Sequence, residues 1–374
     1  MPGMRIGGRA FALVLGAALI AAAHLPPARA GDIPKFEVDA SWPKPLPNNW
    51  VLGQVGGITT DKDGHIWVLQ RPRTLTDDEK GAALTPPRSK CCVPAPPVLE
   101  FDADGNLLRS WGGPGSGYTW VGNEHGIEVD DSGFVWITGN APTDGVVLKF
   151  TTDGKYVGQI GTVGPIKGSN DTTALGRPAE TFVDEAAREI YIADGYANRR
   201  VIVFNADTLA FKRYWGAYGH KPNDDKQQPY DPKATVAQQF GNPVHCVKVS
   251  RDGLVYVCDR VNDRIQVFKT DGTFVKEWFY EKNTLGNGAV WDVAIWPDPK
   301  QTWLLSADGE NNEIRILKRD DGSVVGSFGR NGRQAGQFHW IHAMAVDPKG
   351  NVYTAEVDTG KRVQKFKLVS DALH

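Results

Sequence analysis

Apolar and polar positions alternate along this chain in short runs, and the runs themselves recur. A strand-like segment leads into a turn carrying Asp and Gly, and a second segment rich in aromatic and β-branched residues follows. A third segment then ends on an apolar–aromatic pair. The opening pair of segments is legible six times: "GGITTDKDGHIWVL" from Gly56, "HGIEVDDSGFVWIT" from His125, "AETFVDEAAREIYIA" from Ala179, "HCVKVSRDGLVYVC" from His245, "WDVAIWPDPKQTWLL" from Trp291 and "HAMAVDPKGNVYTA" from His342. The third segments include "GVVLKFTTDGKYV", "RRVIVFNADTLAF" and "DRIQVFKTDGTFV". Period-two alternation broken by Asp-Gly turns predicts antiparallel strands joined by hairpins, because Gly and Asp tolerate the positive φ of tight turns.

A repeat of this length that is all strand and turn predicts blades of four antiparallel strands stacked around an axis, since one such sheet alone leaves both faces uncovered. Six copies predict an all-β, six-bladed β-propeller. The last copy ends after its third strand at Leu368, and "KFEVDASW", Lys35 to Trp42, is the expected fourth strand. That strand would close the ring by joining the two ends of the chain. The segment 72–97 is rich in proline and interrupts the first blade as an expected surface insertion.

The first thirty residues lie outside this pattern. Arg5 and Arg9 precede an apolar run from Phe11 to Ala23, and Ala28-Arg29-Ala30 supplies a small-x-small cleavage site before Gly31. This predicts a signal peptide over residues 1–30, with one propeller domain over 31–374 that is periplasmic or secreted. No later run is long enough to cross a bilayer, so no membrane span is expected. A formal net charge of −2 over 374 residues excludes a basic footprint for nucleic acid. Four cysteines, Cys91, Cys92, Cys246 and Cys258, allow three disulfide connectivities in an exported chain.

The repeats align on the residue ending each first strand: Asp61, Asp130, Asp184, Ser250, Trp296 and Asp347. Five residues upstream stands a column of Gly56, His125, Ala179, His245, Trp291 and His342. Histidine therefore occupies alternate blades, at one height on the strands that line the channel. Alternate blades of a six-fold ring stand about 120° apart, so the three imidazoles converge on the axis. Three histidines with no thiolate or carboxylate suit a catalytic zinc ion with an open position. His24, His65, His220, His339 and His374 share no such register.

Further candidates end the second strands. "IWVLQRP" carries Arg71, "VYVCDRV" carries Arg260, and "IYIADGY" ends on Tyr196. All three fall where loops at the channel mouth begin. Two guanidiniums would hold a substrate carboxylate bidentately and would favour loss of a proton from a nearby phenol.

Together, the histidine column, "DGY.N.R" and "DR.N.RIQ.F" resemble the NHL-repeat propellers, and among them the peptidyl-α-hydroxyglycine α-amidating lyases. The resemblance covers essentially the whole chain after residue 30. It implies zinc held by His125, His245 and His342, with Tyr196 acting beside Arg260 and Arg71. It also implies cleavage of a small-molecule or peptide substrate with a carboxylate, a peptidyl-α-hydroxyglycine, into an amide and glyoxylate. The family carries an acidic residue directly after the third zinc histidine that helps to hold a structural calcium; this chain has Ala343 there. It also has Ala197 where the family has a cysteine. Two other readings stand beside the lyase. Glu180 and Asp292, near the inner register, suit a calcium-dependent lactonase of the gluconolactonase type, and the ring alone suits a non-enzymatic binding protein.

Overall fold

A computed structural model describes residues 1–3 and 33–373. The predicted signal peptide beyond residue 3, with its expected cleavage site at Ala30–Gly31, lies outside the described residues. From Ile33 onward the chain forms the predicted six-bladed propeller of four-stranded antiparallel sheets. The inner strands are Gln54–Thr60, Glu124–Val129, Glu180–Asp184, Val244–Val249, Asp292–Ile295 and Ile341–Val346. In blade six the outermost strand is Phe36–Asp39, paired from Phe36↔Leu368 to Asp39↔Lys365, so the two ends of the chain close the ring as expected. No helix among the described residues is long and apolar enough to cross a membrane.

The repeated Asp explains why each hairpin forms where it does. Asp130 accepts the Phe134 amide with one carboxylate oxygen, and the Trp136 indole N–H with the other at 3.1 Å. Asp61 does the same for His65 and Trp67, and Asp347 for Asn351 and the Tyr353 hydroxyl. One side chain thus caps the turn and orients the aromatic ring of the next strand, which then packs between blades.

The middle strands are mostly buried, and Ile66–Arg71 and Glu189–Asp194 are buried along their whole length, because neighbouring blades cover both faces. Val201, Val203 and Trp215 of blade three meet Val247, Val257 and Phe268 of blade four in one such layer. Cys246 and Cys258 face each other across the first two strands of blade four and are joined, and Cys91 is bonded to Cys92. In the segment 72–97 two short 3-10 turns lead to a strand, Val93–Pro94, that pairs in parallel with Trp50–Val51.

Ring closure generates the first test. The Phe36 ring lies 4.6 Å from that of Phe328 and 5.9 Å from that of Trp296, in the layer between blades five and six. Phe36→Ala should lower the unfolding free energy by about 2 kcal/mol, below the full cost of a fully buried phenylalanine because Phe36 is partly exposed. Urea unfolding checks this, and an unchanged midpoint would mean that the closing strand adds nothing to the ring.

Candidate functional site

The histidine column is turned toward the axis by a break in strand pairing. Register between the first two strands steps over Gly56 in blade one, over His125 and Gly126 in blade two, over His245 in blade four and over His342 in blade six. Each is a β-bulge, which leaves its residue out of the ladder and re-aims the side chain. The three imidazole rings then stand with centroids 4.6, 4.8 and 5.0 Å apart.

Each ring is held by the next blade at the same level of the column. His125 Nδ1 bonds the carbonyl of Ala179 at 2.8 Å, His245 Nδ1 that of Trp291 at 2.5 Å and His342 Nδ1 that of Gly56 at 2.7 Å. A carbonyl only accepts, so Nδ1 carries the hydrogen in all three rings and the Nε2 lone pair is left for the axis. Gly56 is required here, because a Cβ would come within 2.6 Å of the Glu124 carbonyl oxygen.

All three imidazoles are buried, and one donor atom of each lies within 4.8 Å of the others. His245 Nε2 is buried and has no hydrogen-bond partner. His125 Nε2 accepts from the Tyr196 hydroxyl at 2.9 Å. Burial pushes all three pKa values well below the usual imidazole range, and neighbouring Arg71, Arg260 and imidazole groups act in the same direction. The rings are therefore neutral at physiological pH. Three converging neutral nitrogens, one of them unsatisfied, fit a bound metal ion.

Tyr196 is set at this level by rigid backbone. A Cβ on Gly195 would lie 2.0 Å from the Val244 carbonyl oxygen, so the loop packs directly on blade four. A fully buried ion pair, Asp194–Arg200 at 2.9 Å, ties the loop to its own blade, and Asp259–Arg264 at 2.8 Å does the same beside Arg260. Arg260 donates to the Tyr196 oxygen at 3.3 Å and lies 4.5 Å over the Trp291 ring. Arg71 is held by the Glu124 carbonyl at 2.6 Å and by Gln54 at 2.9 Å. Arg71, Tyr196, Arg260, Trp291, Trp340 and His342 all line one cleft of about 200 Å³.

Arg177 was not legible in the sequence, and Trp340 was so only by its place beside the histidine column. Arg177 sits in left-handed backbone at φ 60° and places its guanidinium 5.7 Å from the Tyr196 ring centre. Trp340 has φ 51° and its backbone amide donates a hydrogen bond to Asn312 Oδ1 at 2.7 Å. Bulky residues seldom occupy this region, and such strain clusters at functional sites. Neither residue belongs to a repeated motif; the only signal was Trp340 standing beside the histidine column.

On the other side of the triad the channel holds carboxyl groups. Glu180 and Asp292 follow the column directly, and Glu128, three residues beyond His125 on the inner strand of blade two, accepts a hydrogen bond from the Thr59 hydroxyl at 3.2 Å. Loss of hydration pushes Glu128 up to about 8, against the partial relief given by Lys248.

No family model matches the chain. Mouse NHL repeat-containing protein 3 is 29% identical over 351 residues, covering 89% of this chain and 84% of that protein. Its human counterpart is 30% identical over 345 residues, covering 88% and 84%. Fold and comparison together define a ring of NHL-type repeats around a triad able to hold a metal. The chain belongs to the NHL repeat-containing protein family. Mouse peptidyl-glycine alpha-amidating monooxygenase is 26% identical over 333 residues, which are 86% of this chain but only 31% of that protein.

Glu128 supplies a test by pH. Its folded pKa is raised above the ordinary 4.5, so its ionisation penalises the folded state progressively between 4.5 and about 8, and the penalty is absent below that window. Glu128→Gln should match the parent near pH 4.5 and exceed it at pH 9, by about 1–3 kcal/mol. Denaturant midpoints at both pH values check this, and a gap that does not widen with pH would refute it.

Proposed function

We propose that the chain is an exported zinc-dependent lyase that cleaves the N–Cα bond of an N-acyl- or peptidyl-α-hydroxyglycine, yielding an amide and glyoxylate. The observation that carries this reading is the unpartnered, buried Nε2 of His245 beside two further neutral imidazoles, under a cleft that presents a phenol and two arginines. The similarity to a protein named for peptidyl-glycine α-amidation points the same way.

His125, His245 and His342 would hold the ion through Nε2. Zinc would supply Lewis acidity toward the substrate hydroxyl. Arg71 and Arg260 bind the substrate carboxylate, since both are buried and line the cleft, and among the described residues neither is paired with a carboxylate of the fold. Tyr196 Oη acts as the base that takes the substrate hydroxyl proton, with the Arg260 N–H donating to that oxygen at 3.3 Å. The O–H electron pair becomes the aldehyde C=O, and the N–Cα bond breaks with its electrons on nitrogen. Tyr196 Oη returns the proton to that nitrogen, so the reaction consumes and releases none. Trp291 and Trp340, with rings 5.6 Å apart, wall off water on one side of the cleft.

Tyr196→Phe should leave the metal content unchanged and lower glyoxylate release by about 10²–10⁴-fold. Unchanged turnover would remove Tyr196 from the chemistry. Trp340→Ala should widen the range of N-acyl groups accepted, read as kcat/KM across a substrate series; an unaltered range would refute its part in the wall. A protein that binds no zinc and releases no glyoxylate would instead be a binding ring, the reading favoured by relatives named for their repeats alone.

A further inference from the structure

The resemblance to α-amidating lyases implies a calcium ion next to the histidine level, and the residues present do not fit it. The expected acid is Ala343, which faces a space of about 10 Å³ on the axis together with Glu180 and Asp292. That volume admits no more than about one water molecule. Glu180, Cys246 and Asp292 bring donor atoms within 4.8 Å of one another, but the Cys246 sulfur is bonded to Cys258 and offers no thiolate. Both Asp292 oxygens already accept backbone amides, from Val293 at 2.7 Å and Met344 at 2.8 Å.

A cation is nevertheless present. Lys248, two residues along the same strand from Cys246, reaches Glu180 Oε1 with its ammonium group at 2.6 Å. The other oxygen of Glu180 accepts the Val247 amide at 2.9 Å. Glu128 and Asp292 are the other carboxyl groups whose charge acts on this ammonium. The ammonium nitrogen also lies 5.9 Å from the centre of the Phe182 ring. Carboxylates withdrawn from water need a paired cation, and a covalently attached one occupies the site at every calcium concentration.

We propose that Lys248 is the resident cation of the channel, doing for Glu180 and Asp292 what a bound divalent ion would otherwise do, and that the folded ring is consequently independent of calcium. The arrangement places positive charge in the side chain of blade four rather than in solution. Removal of the ammonium would leave the carboxyl oxygens of Glu180 and Asp292, within 4.8 Å of one another, without their cation, a pair of hard oxygen donors of the kind that takes calcium.

Thermal unfolding and calcium titration calorimetry, with zinc held constant, test this. The parent protein should melt within about 1 °C of the same temperature in EGTA and in millimolar calcium, and should give no binding heat. Lys248→Met should melt lower in EGTA and regain about 5 °C in millimolar calcium. Recovery of that variant in folded form only when calcium is supplied would support the proposal equally. Lys248→Arg, which keeps the charge, should be stable and indifferent to calcium. A parent protein that binds calcium or is destabilised by EGTA overturns the proposal, whatever the variants do. So does a Lys248→Met variant that is as stable as the parent and blind to calcium.

Discussion

The bond from each histidine Nδ1–H to a carbonyl of the next blade is the constraint on which the centre depends. It fixes the tautomer, so that all three lone pairs point at the axis, and it fixes the height, because every accepting carbonyl belongs to the same column. The bonds run from blade two to three, four to five and six to one. The triad thus spans the seams of the ring, and its geometry requires the ring to be closed. Closure in turn requires the strand Phe36–Asp39 in the last blade. Stability and chemistry are linked through that pairing.

Charge is sorted along the axis. Above the triad stand Arg71 and Arg260, suited to an anion in the cleft, and below it stand Glu128, Glu180 and Asp292 around Lys248. Neutral imidazoles separate the two regions, and burial keeps them neutral. The mouth loops are held by buried carboxylate–arginine pairs at Asp194–Arg200, Asp259–Arg264 and Asp308–Arg315, and by Glu356–Arg362, whose arginine is partly exposed. Such pairs add little net stability against an apolar substitute, but loss of either partner strands a buried charge.

Much of this was legible in the sequence because propeller repeats convert linear register into position around an axis. Counting back from Asp130, Ser250 and Asp347 was enough to put His125, His245 and His342 at one level. The same Asp residues signalled the hairpins, and their bond to the following aromatic ring explains why the signal is strong. The bulges were not legible, since a skipped residue looks like any other strand position. Nor was Lys248, which has a role only because the acids of blades two, three and five meet it across the channel. The pairing of Cys246 with Cys258 was left among several connectivities, although their opposition across one hairpin follows from the turn between them. Arg177 and Trp340 depend on left-handed backbone imposed by tertiary contacts, for which residue type gives no hint.

The central claim is that the three imidazoles form a metal centre. Crystals of the purified protein, measured on either side of the zinc absorption edge, test it most directly. The account predicts one anomalous peak on the propeller axis, within bonding distance of Nε2 of His125, His245 and His342. An empty axis in protein supplied with zinc, or a peak bound elsewhere, would contradict it.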